Sequence, residues 1–275
     1  MLRALRLSLV LVALGAAPPL ARTAHAQAAD EPATPRSSLA ATPAEEEDAP
    51  RRADDADLFY LTHDRVTLYR TADSTRPVMT LALRAPVHRT GQRGAWTRLR
   101  TENGVDGYVF GAPLSNVWVR ISKARRTLYL YRGPELVRTF AADFGYNPNA
   151  DKERRGSDAE RDQWRTPEGT FYVARRNPRS QFYRAFVLSY PNAEHAQRGL
   201  ARGLITPAQR DAIVEAERTF SEPPMNTALG GMIEIHGKGS GLGTNWTQGC
   251  VALLNAHVDA LWPLLDVGTP VVIDP

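Results

Sequence analysis

A single cysteine in 275 residues, Cys250, excludes two architectures at once. No disulfide can close within the chain, and a zinc site built on paired cysteines cannot be assembled. An excess of one charge is missing too. Lys+Arg number 34 against 30 Asp+Glu, for a net charge of +4. Residues 1–26 carry Arg3, Arg6 and Arg22 and no acid, so their removal lowers the net charge to +1. Such a chain has no electrostatic footprint for nucleic acid. Long apolar runs are also lacking. The longest, Leu7 to Ala17, falls well short of the roughly 20 residues that span a bilayer. The glycine-rich stretch 237–243 is not closed by Gly-Lys-Ser/Thr, which excludes a phosphate-binding loop.

What is present begins with a targeting signal. A basic start, a short apolar run, Pro18-Pro19 and small residues at Ala24 and Ala26 have the anatomy of a secretory signal peptide cut after Ala26. The mature chain is therefore expected in an exported compartment, the periplasm, with no stable membrane insertion after cleavage. Residues 27–56 are rich in Ala, Pro, Ser and charge and nearly lack large apolar side chains, so they read as a disordered linker.

From about Leu58 the texture changes to short β-branched and aromatic runs separated by turn formers, which predicts a small β-barrel over 57–115. The order from Val66 to Leu114, with Trp96 and the "GVDGYVF" close, resembles a bacterial SH3-like domain. Trp96 and Tyr108 are expected in its core, with His63 and His88 on its surface. A second domain, 116–275, is predicted from "VWVRIS", "RTLYLYRG", "LVRTFAADFG", "GTFYVARR", "AFVLSYP", "MIEIHG" and "PVVID" as strands. Between Tyr190 and Met232 lies a helical insert, its second helix capped by Thr206 with Pro207 at the first position. A last helix is expected with Asn255 as N-cap and Val258, Leu261, Trp262 and Leu265 on one face, cut short by Pro263.

The chemistry gathers in "MIEIHGKGSGLGTNWTQGCVALLN". A strand ending at His236-Gly237 delivers a base, and a tight turn at Gly249 delivers a thiol. An imidazole beside Cys250 is expected to hold it as a thiolate. The alternative is an inert cysteine filling the core. Gly249 permits a sharp turn and close approach of a substrate, and the N–H groups of Gly249 and Cys250 are candidate oxyanion donors. His257 is the second candidate base, and His195 falls in the insert. No metal site or cofactor is indicated.

These residues are similar to the L,D-transpeptidase (YkuD) catalytic domain, in which a strand-end histidine is followed by Ser/Thr-His-Gly-Cys. Here that is His236 and Thr247-Gln248-Gly249-Cys250-Val251, and Thr166-Pro167 with Gly169, "SYPNAEHA" and "GTPVVI" extend the likeness. The resemblance implies a mainly β fold, a β-sandwich-like catalytic domain with peripheral helices. It also implies Cys250 as nucleophile, His236 as base, the Gly237 carbonyl as its orienting acceptor, and peptidoglycan stem peptides as substrate. Thr247 either sits near the thiol or caps its own turn. Trp246 either walls the pocket or fills the core, with the core favoured. Arg176, in the cluster Arg175, Arg176 and Arg179, is a candidate for a stem carboxylate. Gln248 and Ala252 depart from the commoner pattern and match a "WTxGCxA" branch, some of whose members resemble hydrolases that free a wall-attached envelope protein. Three readings follow: a transpeptidase, a hydrolase on the same acyl-enzyme (L,D-carboxypeptidase or amidase), and a wall-binding module with a vestigial site.

Overall fold

The computed structural model describes residues 58–111 and 113–275. The expected signal peptide and linker lie outside the described residues. The fold is mainly β. Seven strands open it: β1 (Leu58–Leu61), β2 (Val66–Tyr69), β3 (Pro77–Leu81), β4 (Pro86–Arg93), β5 (Trp96–Thr101), β6 (Asp106–Phe110) and β7 (Leu114–Ser115). They form one antiparallel sheet in the order β3-β2-β6-β5-β4-β1-β7. Alternation along β5, with Thr97, Leu99 and Thr101 buried and Arg98 and Arg100 exposed, turns one face inward. Leu61, Leu68, Leu81, Val87, Leu99 and Val109 from six of the strands meet in one cluster, so the sheet curls about its own core. Trp96 and Tyr108 are only half-buried, and Trp96 packs edge-on against Tyr69 and Phe110 at the rim instead of filling that core. His63 is exposed and His88 half-buried.

The strands that follow are β8 (Val117–Ser122), β9 (Thr127–Arg132), β10 (Glu135–Ala141), β11 (Phe144–Gly145), β12 (Gly169–Ser180) and β13 (Tyr183–Leu188). Two helices come next, α1 (Ala193–Ala201) and α2 (Pro207–Arg218). The chain closes with β14 (Glu234–His236), β15 (Asn245–Thr247), β16 (Val251–Ala252), α3 (Asn255–Leu261) and β17 (Pro270–Asp274). Eight of these strands pair in the order β10-β9-β8-β17-β12-β13-β14-β16, and β11 pairs with β15 separately. Two pairings in the large sheet are parallel, β17 with β8 and β14 with β16. A core of Val119, Ile121, Phe171, Phe186, Ile235, Val251 and their neighbours lies on one side, sealed by Val258, Leu261 and Leu265.

The insert folds as its sequence signals require. Thr206 and Gln209 form a reciprocal capping box with Pro207 behind it, and Ile213 and Ala216 turn inward. Asn192 caps α1 through His195 N–H. At α3 the cap shifts by one residue. Leu254 holds the N-cap position with no side-chain bond, because the Asn255 side chain instead accepts from the Lys238 N–H at 2.8 Å. The helix stops at Leu261, two residues before Pro263. Among the described residues no helix is long and apolar enough to cross a membrane.

Candidate active site

Two short parallel strands bring the critical residues together. In the β14–β16 ladder Ile235 stands opposite Val251 and His236 opposite Ala252. Side chains alternate along extended chain, so His236 and Ala252 share one face. Cys250, immediately before β16, lines the same cleft as His236. Ile235 and Val251 point the other way and are fully buried in the core. A strand end and the turn before its parallel partner thus deliver imidazole and thiol to one cleft. That cleft holds about 780 Å³ and is lined in part by His236, Cys250, Trp246, Thr247 and Gln248.

The imidazole is held on three sides. His236 Nδ1 lies 2.6 Å from the Gly237 carbonyl. A carbonyl can only accept, so Nδ1 carries the proton and Nε2 is left as the basic nitrogen. Phe182 stacks on the ring at 4.5 Å between centroids, and Trp246 stands edge-on at 6.1 Å. Burial pulls the pKa of His236 down, opposed by the Gly237 bond and the charge of Asp143. Burial likewise pushes the Cys250 thiol up to about 12. Its Sγ rests 3.5 Å from the Met232 carbonyl. Both shifts run toward the neutral forms, the thiol by burial and the imidazole by burial.

Gly249 occupies a backbone conformation, φ +128°, that suits glycine, and a Cβ there would stand 2.6 Å from the Arg165 carbonyl. Thr247 serves the same turn. Its hydroxyl donates to the Cys250 carbonyl at 2.7 Å and accepts the Gly249 N–H at 3.2 Å. It is thus a turn-capping residue, and the Gly249 N–H is already engaged. Trp246 contradicts its core assignment: it is 40% exposed and lines the cleft, anchored there by its indole N–H, which donates to the buried Asp143 at 2.9 Å. Gln248 is exposed on the cleft.

Arg176 is not brought to the site. Its guanidinium lies over the Trp262 ring at 4.3 Å and donates to the Trp262 carbonyl at 2.7 Å. Arg175 pairs with Glu222, and of the cluster it is Arg179 that lines the cleft. His257 packs on Phe140, outside the cleft lining. His195 is buried between Asn192 and Asp151 as part of the α1 cap. Helices α1 and α2 contribute nothing to the lining. Met225, Gly230, Gly231 and Met232 from the segment after them do.

Two residues escape sequence reasoning. Asp143, fully buried, accepts from the Ser240 N–H (2.6 Å) and hydroxyl (2.7 Å), the Thr244 N–H (2.8 Å) and Trp246. Burial alone pushes its carboxyl up, but these bonds outweigh it and hold the pKa below the usual value. The glycine-rich loop after His236 is thus folded around one carboxylate. Arg126 pins the loop's far end through the Gly243 carbonyl and Asn245. An acid inside "FAADFG" was the available signal. Lys152 is 3% exposed and lines the cleft, although "NADKERRGSDAE" reads as solvated loop.

The sequence model of a family described as "YkuD: L,D-transpeptidase catalytic domain" matches residues 116–273. No curated protein matches the chain. Among solved structures, the chain is similar to an L,D-transpeptidase from Xylanimonas cellulosilytica, at 18% identity and a TM-score of 0.36, over 58% of this chain and 61% of that one. It is similar to Bd1075 of Bdellovibrio bacteriovorus at 21% identity and a TM-score of 0.36, over 58% and 48%. An L,D-transpeptidase from Mycobacterium smegmatis aligns at 15% identity and 0.33, over 84% and 88%. The chain thus spans about three fifths and about half of the first two.

Proposed function

Because the chain belongs to the YkuD family of L,D-transpeptidase catalytic domains, matched over residues 116–273, we propose that it is an exported, peptidoglycan-modifying cysteine acyltransferase. The observation that carries this is one cleft lined by both His236, at the end of β14, and Cys250, just before the parallel strand β16, with His236 Nδ1 held on the Gly237 carbonyl so that Nε2 is the basic nitrogen. The Cys250 sulfur attacks the carbonyl at the L-centre of the third stem residue while His236 Nε2 takes the thiol proton. The C–S bond forms and the oxygen becomes an oxyanion, with the Cys250 N–H as a donor to it. On collapse the C–N bond breaks, and His236 returns its proton to the departing amine of the terminal D-amino acid. An acceptor amine then attacks the thioester, losing its proton to His236 and releasing the thiol.

Water in place of the amine makes the same site a hydrolase. What favours that second reading is local: Gln248 stands exposed where the family commonly has histidine, and Ala252 is fully buried where it commonly has Arg or Asn. A wall-attached envelope protein is then the partner released. In this reading residues 1–26 direct export to the periplasm, 27–56 are a linker, and 57–115 are an SH3-like spacer before the catalytic domain. Product mass spectrometry with tetrapeptide stems, a labelled D-amino acid and protein-linked muropeptides tests it. Incorporated label means transfer, whereas shortened stems or freed protein mean hydrolysis. Cys250→Ala should lose all turnover, and unchanged activity would refute both readings.

A further inference from the structure

The cleft has a cationic part that the acyl-transfer chemistry does not use. Lys152 is almost fully enclosed, yet its side chain lines the same cavity as Cys250. An ammonium has three donors. One meets the Gln163 carbonyl at 3.1 Å, and among the described residues no carboxylate forms an ion pair with it. The adjacent Asp151 is spent elsewhere, on Arg198, on His195 and on the Glu168 N–H. Lys123, the other buried lysine, shows the ordinary solution, since it pairs with Glu168. Burying an unpaired ammonium is costly unless something completes its shell. Arg155 and Arg179 also line the cleft and are exposed, against one acid, Glu234, in the lining. The cavity is therefore built for an anion.

We infer that Lys152 is the receptor for a substrate carboxylate: its two unspent donors take the free terminal carboxylate of the departing D-residue, with Arg155 as an outer cation, and so fix the scissile carbonyl at Cys250. This rests on the proposed acyl-transfer reading and deepens it, because it makes an anionic stem terminus a requirement of the donor. Burial lowers the pKa of Lys152 to about 8, opposed by Cys250 and Asp151 and assisted by Arg155 and Arg165. The charged form that binds carboxylate is complete at pH 6 and lost as pH rises past about 8.

Calorimetry on the full chain carrying Cys250→Ala separates binding from turnover. The ligands are a tetrapeptide stem with a free terminal carboxylate and the same stem as its carboxamide. The carboxylate form should bind about 10- to 100-fold tighter, the worth of a hydrogen bond to a charged group. Adding Lys152→Met should erase that ratio, Lys152→Arg should retain part of it, and raising the pH from 6 to 9 should shrink it. Replacing a buried charge by an apolar side chain of like size is commonly tolerated, and the melting temperature of each variant checks this. A ratio unchanged by Lys152→Met, equal weakening of both peptides, or no preference in the parent would overturn the inference. Turnover by the wild-type chain is measured separately. A carboxylate preference without turnover defeats the acyl-transfer reading and leaves Lys152 standing, and turnover without the preference does the reverse.

Discussion

The two main sheets bury different things. Within the described residues the first encloses only Thr97 and Thr101 as polar side chains, and neither carries charge. The strands and loops after Val117 enclose Lys123, Asp143, Lys152, His195, Glu234 and His236. Each buried polar or charged group costs free energy that an apolar residue would not, unless it finds partners. In Lys123 and His195 the cost is offset by partners that tie loops together. Asp143 organises a loop, whereas Lys152, Glu234 and His236 line the cleft beside Cys250. A sheet that only has to stand can close its core with leucine and valine. A sheet that has to perform chemistry keeps ionisable groups where burial shifts them.

The sharpest way to break that contrast is at Gly249. Gly249→Ala places a methyl against the Arg165 carbonyl at 2.6 Å in a conformation that side chains resist. The turn must move, and Cys250 moves with it. Turnover should fall on the order of 100-fold, the effect of displacing a reacting group by about 1 Å. Iodoacetamide labelling of Cys250 and kcat on tetrapeptide stems would measure it, and near-normal turnover would mean that the turn does not set the geometry.

Asp143 gives the next effect. Asn can offer one acceptor oxygen where Asp143 offers two, so Asp143→Asn leaves two of its four donors facing an amide. The loss should be about 2–3 kcal/mol of stability and roughly tenfold in turnover as Trp246 and the loop loosen beside His236. The sign with pH is fixed by the depressed pKa of the carboxyl. Its stabilisation is present above the unfolded value of about 3.9 and is lost as pH falls through the lower folded value. Melting curves of the two proteins should therefore converge in acid and separate toward neutral pH.

How far these features can be read from sequence depends on their range. Strand alternation, the capping box at Thr206 and the end of a strand at His236 are local, and each stands in the fold as the residues suggest. What distant segments decide is opaque. Arg176 looks like a carboxylate binder until Trp262, 86 positions away, takes its guanidinium. Trp246 looks like core until Asp143, 103 positions away, takes its indole N–H. Lys152 is masked by the charged run around it, and no pattern in "NADKERRGSDAE" says that one of its cations will be buried.

The smallest expected effect on turnover, and the clearest test of the contrast, lies in the first sheet. Leu99 is fully enclosed there, and Leu99→Ala should cost about 2–5 kcal/mol of stability by opening a cavity. The contacts that join this sheet to the rest include the Tyr60 hydroxyl on the Val117 carbonyl at 2.6 Å and Arg84 over the Phe220 ring at 4.8 Å. Neither Val117 nor Phe220 lines the cleft. A packing defect at Leu99 therefore has no short route to His236 or Cys250, and kcat per folded molecule should stay within about twofold, as expected for distant, independent sites. Thermal melting and active-site titration of the same sample read the two quantities apart. Should kcat fall tenfold while the chain stays folded, the first sheet would be part of the catalytic scaffold, and the division between a sheet that stands and a sheet that reacts would fail at Arg84, whose guanidinium also approaches Tyr172 of β12 at 5.8 Å.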